Sequence, residues 1–161
     1  MLGQRVPRLM IATPKHRTVI EAELVARGVD IERLTTSGEL TVADAEATLR
    51  TFMRDGMPDP ALFRSTLIPI LDQIAATGGG GAIRAYGEMV DVLWRAGRTV
   101  AAVKLEMLWN ELARTHDFSL LCGYSMGTFY KSASIVEICD HHTHVISDQG
   151  KYGRVEPPPA R

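Results

Sequence analysis

Gly123, Tyr124, Ser125, Met126 and Gly127 spell G-x-S-x-G, the pattern in which a strand-turn-helix elbow presents a nucleophilic serine. Such a serine needs a histidine to take its proton, an acid to orient that histidine and an oxyanion hole. Downstream stand Asp140 and His144, which are expected to share one helix end with His141 and His142. That placement gives an acid little scope to orient an imidazole facing Ser125. The plain reading is therefore a tight turn leaving a strand, and a small serine hydrolase is kept as an alternative.

The run Cys139 to His144 carries metal-binding side chains: Cys139 and His142 are spaced i, i+3, and His144 follows closely. Zinc or copper accepts such donors, but a structural site usually draws a second pair from elsewhere in the chain. Apart from Cys122, the distant candidates are His16 and His116, which read as surface helix and loop positions. A helix end whose imidazoles face the terminal carbonyls is the simpler reading, and no metal or cofactor is expected. The glycines at 78–81 precede a strand and no lysine follows them, so they read as a connector instead of a phosphate cradle.

Carboxylates in apolar company are more informative. Glu88 directly follows the strand-like run 82–87 and opens a helix, so it either caps that helix or faces a pocket at the strand end. Glu106 lies one turn before Trp109 and Asn110, with which it shares a stripe of the helix. A buried glutamate needs a partner, and Arg84 on the preceding strand is the one expected. Tyr86, Trp94, Trp109, Cys122, Tyr124 and Met126 add aromatic and soft surface near the strand ends, as in an apolar pocket with a few polar anchors, or as plain core.

These residues must be positioned by alternating elements. Residues 8–13 read as a strand ending at Thr13-Pro14, a cap and first turn for a helix that runs to Gly28. Residues 35–42 read as a small hairpin or loop. Residues 44–53 form a second helix, closed by Asp55-Gly56, and 58–77 a third, loosened by Pro69. Residues 82–87 make a strand, 88–97 and 99–115 two helices divided at Gly97, and 118–124 another strand. A last helix over 128–142, a strand over 143–147 and a mobile polar tail over 148–161 complete the expectation. Strands alternating with helices indicate an α/β layer fold with a largely parallel sheet.

Composition bounds the rest. At 161 residues, with 45% hydrophobic and 23% charged residues, one folded domain over 1–147 is expected. Eighteen basic against nineteen acidic side chains leave a net charge of -1, which provides no general field for nucleic acid or anionic lipid. Two cysteines are too few for a disulfide scaffold, and no run of about 20 apolar residues is present, so a cytoplasmic, membrane-free setting is expected.

The run 84–126, followed by 138–146, resembles the MEDS domain, a sensory domain named after methanogens and methylotrophs. The segments 11–34 and 44–63 are similar to the same family in sequence and order, so that the likeness spans about residues 5 to 147. The resemblance implies a three-layer RecA-like fold without ATPase machinery. It further implies a role in prokaryotic signalling, with small hydrocarbon derivatives as the ligands proposed for the family. Members are often joined to a DNA-binding domain or a histidine kinase. They usually begin with a further strand and helix, and the sequence opens near the end of that helix, so that either its start is placed late or this version is expected to lack a sheet strand. An exposed sheet edge, and hence a homo-oligomer, is expected from that difference.

The expected function is thus a non-enzymatic sensor that binds a small organic ligand through Arg84, Tyr86, Glu88, Trp94, Glu106, Trp109, Asn110, Cys122 and Tyr124. Its state would pass to a kinase or transcription regulator through conformation or association. The alternative is a protein-interaction module acting on such a partner in trans.

Overall fold

The computed structural model describes residues 6–77, 81–125, 140–146 and 152–154. Its centre is a parallel sheet of four strands, β1 (Arg8–Ala12), β2 (Leu40–Asp44), β5 (Ile83–Gly87) and β6 (Phe118–Cys122), in the order β2-β1-β5-β6. Helices α1 (Pro14–Ala26) and α2 (Ile31–Thr36) join the first two strands. Helices α3 (Ala45–Phe52) and α4 (Pro60–Thr77) lead to β5, and α5 (Met89–Arg95) and α6 (Thr99–Leu112) lead to β6.

Alternation along the strands divides the core into two layers. Leu9, Ile11, Ile83 and Ala85 join Phe52, Phe63, Leu67, Leu93, Leu105 and Trp109 in the large cluster beneath α3 to α6. Met10 and Ala12 point the other way, into a smaller cluster with Leu34 and Leu40 against which Ile20, Ile31 and Tyr86 pack. The result is the expected three-layer α/β arrangement, a parallel sheet flanked by helices.

Local details depart from the sequence expectation. The segment read as a hairpin or loop supplies β2, paired in parallel with β1 from Arg8↔Leu40 to Ala12↔Asp44. Only Leu40 of that strand is fully buried, so its edge position gives a weak apolar pattern. Helix α2 was not anticipated; the Asp30 carboxylate caps it by accepting from the Arg33 amide. Asp55-Gly56 does not close a helix. It turns a hairpin between β3 (Met53–Arg54) and β4 (Met57–Pro58), with φ of 48° and 80°. Helix α4 runs through Pro69, which is tolerated because Pro69 and Ser65, whose carbonyl loses its amide partner, both face solvent.

The helix expected over 128–142 lies almost wholly outside the described residues. Strand β7 (His144–Ile146) agrees with the expected final strand. Tyr152–Arg154, expected to be mobile tail, instead forms β8 and pairs antiparallel with β7. No helix among the described residues is long and apolar enough to cross a membrane.

Candidate functional site

Three carboxylates, Glu88, Asp91 and Glu106, are each only 2% exposed beside the carboxyl ends of β1, β5 and β6. Three buried charges in one small region must be matched by donors, because an unpaired one costs several kcal/mol. The fold supplies a separate set of donors for each.

Glu88 precedes α5 but its side chain does not cap it. It reaches across to the end of β1, where one oxygen accepts from the Thr13 amide at 2.9 Å and the Thr13 hydroxyl at 3.0 Å. The other oxygen accepts from the Tyr86 hydroxyl at 2.7 Å and lies 3.0 Å from His16 Nδ1. Thr13 therefore ties two strands together instead of capping α1, and His16 is no mere surface residue. Burial by itself would raise the Glu88 carboxyl; the bonds from Tyr86 and Thr13 and the nearby His16 outweigh it and hold the group below the usual range. Burial and the same carboxylate push the Tyr86 phenol well up.

Asp91, one turn further along α5, accepts from the Ser125 amide at 2.9 Å and the Ser125 hydroxyl at 3.2 Å, and pairs with Arg95 at 2.9 Å. The serine of the G-x-S-x-G pattern thus bonds a carboxylate directly, without the imidazole that an elbow nucleophile requires between them. Asp91 was missed in the sequence, although an acid within the apolar run from Met89 to Trp94 is the signal that marks it.

Glu106 on α6 receives hydrogen bonds from the Tyr124 hydroxyl and from Cys122 Sγ, the latter at 3.6 Å. His142 Nε2 lies 3.4 Å from its carboxylate, and the His142 and Tyr124 rings meet edge to face at 6.2 Å. Burial would raise this carboxyl too, but His142, Tyr124 and Cys122 together hold it below the usual range. Burial, reinforced by the charge on Glu106, pushes the Cys122 thiol and the Tyr124 phenol well up.

The expected Arg84 partnership does not form. Arg84 is exposed on the opposite face of the sheet and bonds Ser119 Oγ at 3.0 Å. The reason is strand parity: in β5 and β6, Tyr86 is in register with Leu121 and Gly87 with Cys122, so that Arg84 and Tyr86 face α1 while Cys122 faces α6.

Parity also splits the single expected pocket in two. Glu106, Trp109, Asn110 and Cys122 line a cavity of about 430 Å³ together with His141 and His142. Arg84 and Tyr86 instead line a larger apolar groove of about 640 Å³ with Met10, Ile20, Leu24 and Leu121. The groove runs along one sheet face, whereas the smaller cavity runs along β6 from Phe118 to Cys122, beside α6, and reaches the Glu106 cluster at its far end. Trp109 is mainly core, stacked edge to face on Phe63 and Phe118, and Trp94 is core as well. Exposed Asn110 donates to the His141 carbonyl at 3.1 Å, which fixes the backbone beside His142.

Gly123 joins the two sides. Its amide donates to the Gly87 carbonyl at 2.9 Å, and the Tyr86 ring lies against it so closely that a Cβ there would stand 2.5 Å from the phenolic oxygen. Of the Cys139, His142 and His144 trio, Cys139 lies outside the described residues. His144 is exposed and turned to Thr143, while His142 turns inward to Glu106. Met126 also lies outside the described residues.

The family model of the methanogen/methylotroph, DcmR sensory domain (MEDS) matches residues 2–143, which include the four-stranded sheet and all three buried carboxylates. No curated protein and no solved structure matches the chain.

Proposed function

Because the chain belongs to the MEDS family of sensory domains, we propose that it is a sensor whose small organic ligand occupies the cavity beside Glu106. The observation that carries this reading is the convergence of a buried carboxylate, a thiol, an imidazole and an exposed amide on one cavity of about 430 Å³. Trp109, Phe118 and Leu120 supply its apolar wall. This is the composition of a pocket for a compact, mostly apolar molecule with one or two polar atoms.

Signalling follows from where the donors come from. Cys122 and Tyr124 belong to the end of β6, and His142 to the returning chain, so an occupant that competes for Glu106 changes how the two are held together. A ligand shifts such an equilibrium only by preferring one arrangement. The output is contact with a kinase or transcription regulator in trans. No turnover is assigned to the site.

Thermal unfolding against a panel of small organic compounds tests this. A compound at a hundred times its dissociation constant adds about 2.7 kcal/mol, which is roughly 5–11 °C in Tm for a chain of this size. The shift is expected from one chemical class and is expected to vanish in Asn110→Ala and Glu106→Gln. A shift that persists in both variants places the ligand elsewhere.

The interaction-module reading has its own support in the apolar groove beside α1, where Leu121 is 54% exposed. A partner or second copy seated there leaves Asn110→Ala without effect, whereas Leu24→Asp, at a residue that lines the groove and not the smaller cavity, abolishes association in sedimentation measurements.

A further inference from the structure

Glu106, Cys122 and His142 each offer one ligand atom, and the three atoms lie within 4.8 Å of one another. The three residue types are those of zinc coordination, with distances of about 2.3 Å to sulfur, about 2.0–2.1 Å to nitrogen and about 2.0–2.2 Å to oxygen. In a tetrahedron, these lengths put sulfur and oxygen about 3.6 Å apart and nitrogen and oxygen about 3.4 Å apart. Cys122 Sγ lies 3.6 Å from Glu106 Oε2, and His142 Nε2 lies 3.4 Å from Glu106 Oε1. The two spacings are to different oxygens of the carboxylate, so they show thiol and imidazole drawn to coordination distance around Glu106, and an ion bound through one of its oxygens requires a small rotation of the carboxyl group.

We propose that Glu106, Cys122 and His142 form a transition-metal site, with Zn²⁺ as the ion that its mixed ligand set fits. One thiolate, one imidazole and one carboxylate suit a borderline-soft ion and do not suit Mg²⁺ or Ca²⁺, which take oxygen ligands. The thiol loses its proton to solvent on binding, so each ion taken up releases one proton from Cys122. Thiolate and carboxylate together then balance the charge of the ion.

Supporting contacts are in place around these ligands. The Tyr124 hydroxyl bonds Glu106, and Asn110 fixes the carbonyl of His141 next to His142. Such outer contacts orient metal ligands and raise affinity. All three ligands line the cavity of about 430 Å³, so the fourth coordination position opens into it, as in zinc sites that bind water or an exchangeable donor. The metal site requires no organic ligand and stands apart from the sensor reading, which the organic panel tests by itself.

The test uses untagged full-length protein, stripped with chelator and titrated with Co²⁺ as a spectroscopic stand-in for Zn²⁺. One equivalent is expected, with thiolate-to-cobalt charge-transfer absorption that Zn²⁺ abolishes. Cys122→Ser is expected to lose that absorption, His142→Ala and Glu106→Gln to bind at least a hundredfold more weakly, and Tyr124→Phe about 10- to 100-fold more weakly. Circular dichroism checks that each variant folds. In the wild-type chain, Zn²⁺ is expected to protect Cys122, and not Cys139, from alkylation, a readout that needs no variant. Absence of the absorption, its survival in Cys122→Ser, or protection of Cys139 in place of Cys122 overturns the proposal.

Discussion

Glu88 and Glu106 are the same residue in similar burial, each holding a tyrosine hydroxyl and an imidazole, yet they are built for different ends. Glu88 takes its remaining donors from the amide and hydroxyl of Thr13, so its oxygens are filled by groups on two adjacent strands. It lines neither the apolar groove nor the smaller cavity. Glu106 takes its third donor from a thiol, and its imidazole from the returning chain, and it faces a cavity. A backbone amide cannot be displaced without unpairing a strand end, whereas a thiol and an imidazole can exchange a carboxylate for a metal or a ligand. The first carboxylate is held by groups on two strand ends, whereas the second borders a cavity, and it is the second that the proposed ligand and metal sites use.

Replacing each by alanine separates them most sharply. Glu88→Ala leaves the buried Thr13 amide and hydroxyl without their acceptor and unties the part-buried Tyr86 and His16, at an expected cost of about 3–5 kcal/mol. Glu106→Ala abandons donors that border a cavity water can enter, and is expected to cost about 1–3 kcal/mol. Urea unfolding of both variants decides this, and equal losses would remove the distinction between the two carboxylates.

Gly123 tests whether the two clusters are mechanically linked. A Cβ at this position meets Tyr86 Oη at 2.5 Å and two ring carbons at 3.0 Å, so Gly123→Ala must displace the phenol from Glu88. The expected loss is about 1–3 kcal/mol. In a double-mutant cycle with Tyr86→Phe, the two losses are expected to fall short of additivity, because removing the hydroxyl relieves the closest contact. Additive losses would mean that the added methyl does not act through the Tyr86 hydroxyl and that Gly123 carries no strain to the Glu88 cluster.

Much of the fold was legible because it is written in long periodic runs and in turn residues. The helices α4 and α6 and the strands β1, β5 and β6 announce themselves by apolar spacing, whereas α1, which buries no side chain fully, is marked by Pro14 at its start and Gly28 at its end. β2 did not, since an edge strand of five residues with one fully buried side chain carries almost no pattern. The site was legible by residue but not by pairing. Glu106, Cys122 and Tyr124 were all marked by their apolar settings, and they do meet. Arg84 was misassigned because its face depends on strand parity, which a single strand read alone does not fix relative to its neighbour. His16 was read as a surface position and Asp91 was overlooked because their partners, Glu88 and Ser125, are 72 and 34 residues away in the chain.

Acid should weaken both clusters. Each carboxyl sits below its ordinary value of 4.5 in the folded chain, so the unfolded chain takes up protons first as pH falls. The stability the carboxylates contribute is complete above about pH 4.5 and is lost as pH falls through the folded values. At the alkaline end, the raised Cys122 thiol favours the folded state below its ordinary value of 9.0 and loses that contribution as pH rises further. Glu88→Gln is expected to flatten the acid limb of a stability-pH curve and, by releasing the Tyr86 phenol, to alter the alkaline limb above pH 10 as well, while Cys122→Ser acts mainly on the alkaline limb from about pH 9. A Glu88→Gln variant with an unaltered acid limb would show that the Glu88 cluster does not govern acid unfolding.

The smallest effect belongs to the residue with the most suggestive sequence context. Ser125→Ala removes one hydroxyl from Asp91, which keeps the Ser125 amide at 2.9 Å and Arg95 at 2.9 Å. The expected loss is about 1 kcal/mol, the net contribution of an ordinary hydrogen bond, because the contact is long at 3.2 Å and Asp91 keeps its other partners. Asp91→Asn keeps the shape but removes the charge that holds Arg95, and should cost more than Ser125→Ala. If Ser125 were a nucleophile, its hydroxyl would have to leave Asp91, and the alanine variant would abolish ester turnover at little cost in stability. A small loss of stability with no ester hydrolysis in either protein identifies Ser125 as a tether, which fastens the end of β6 to α5 between the two glutamate clusters.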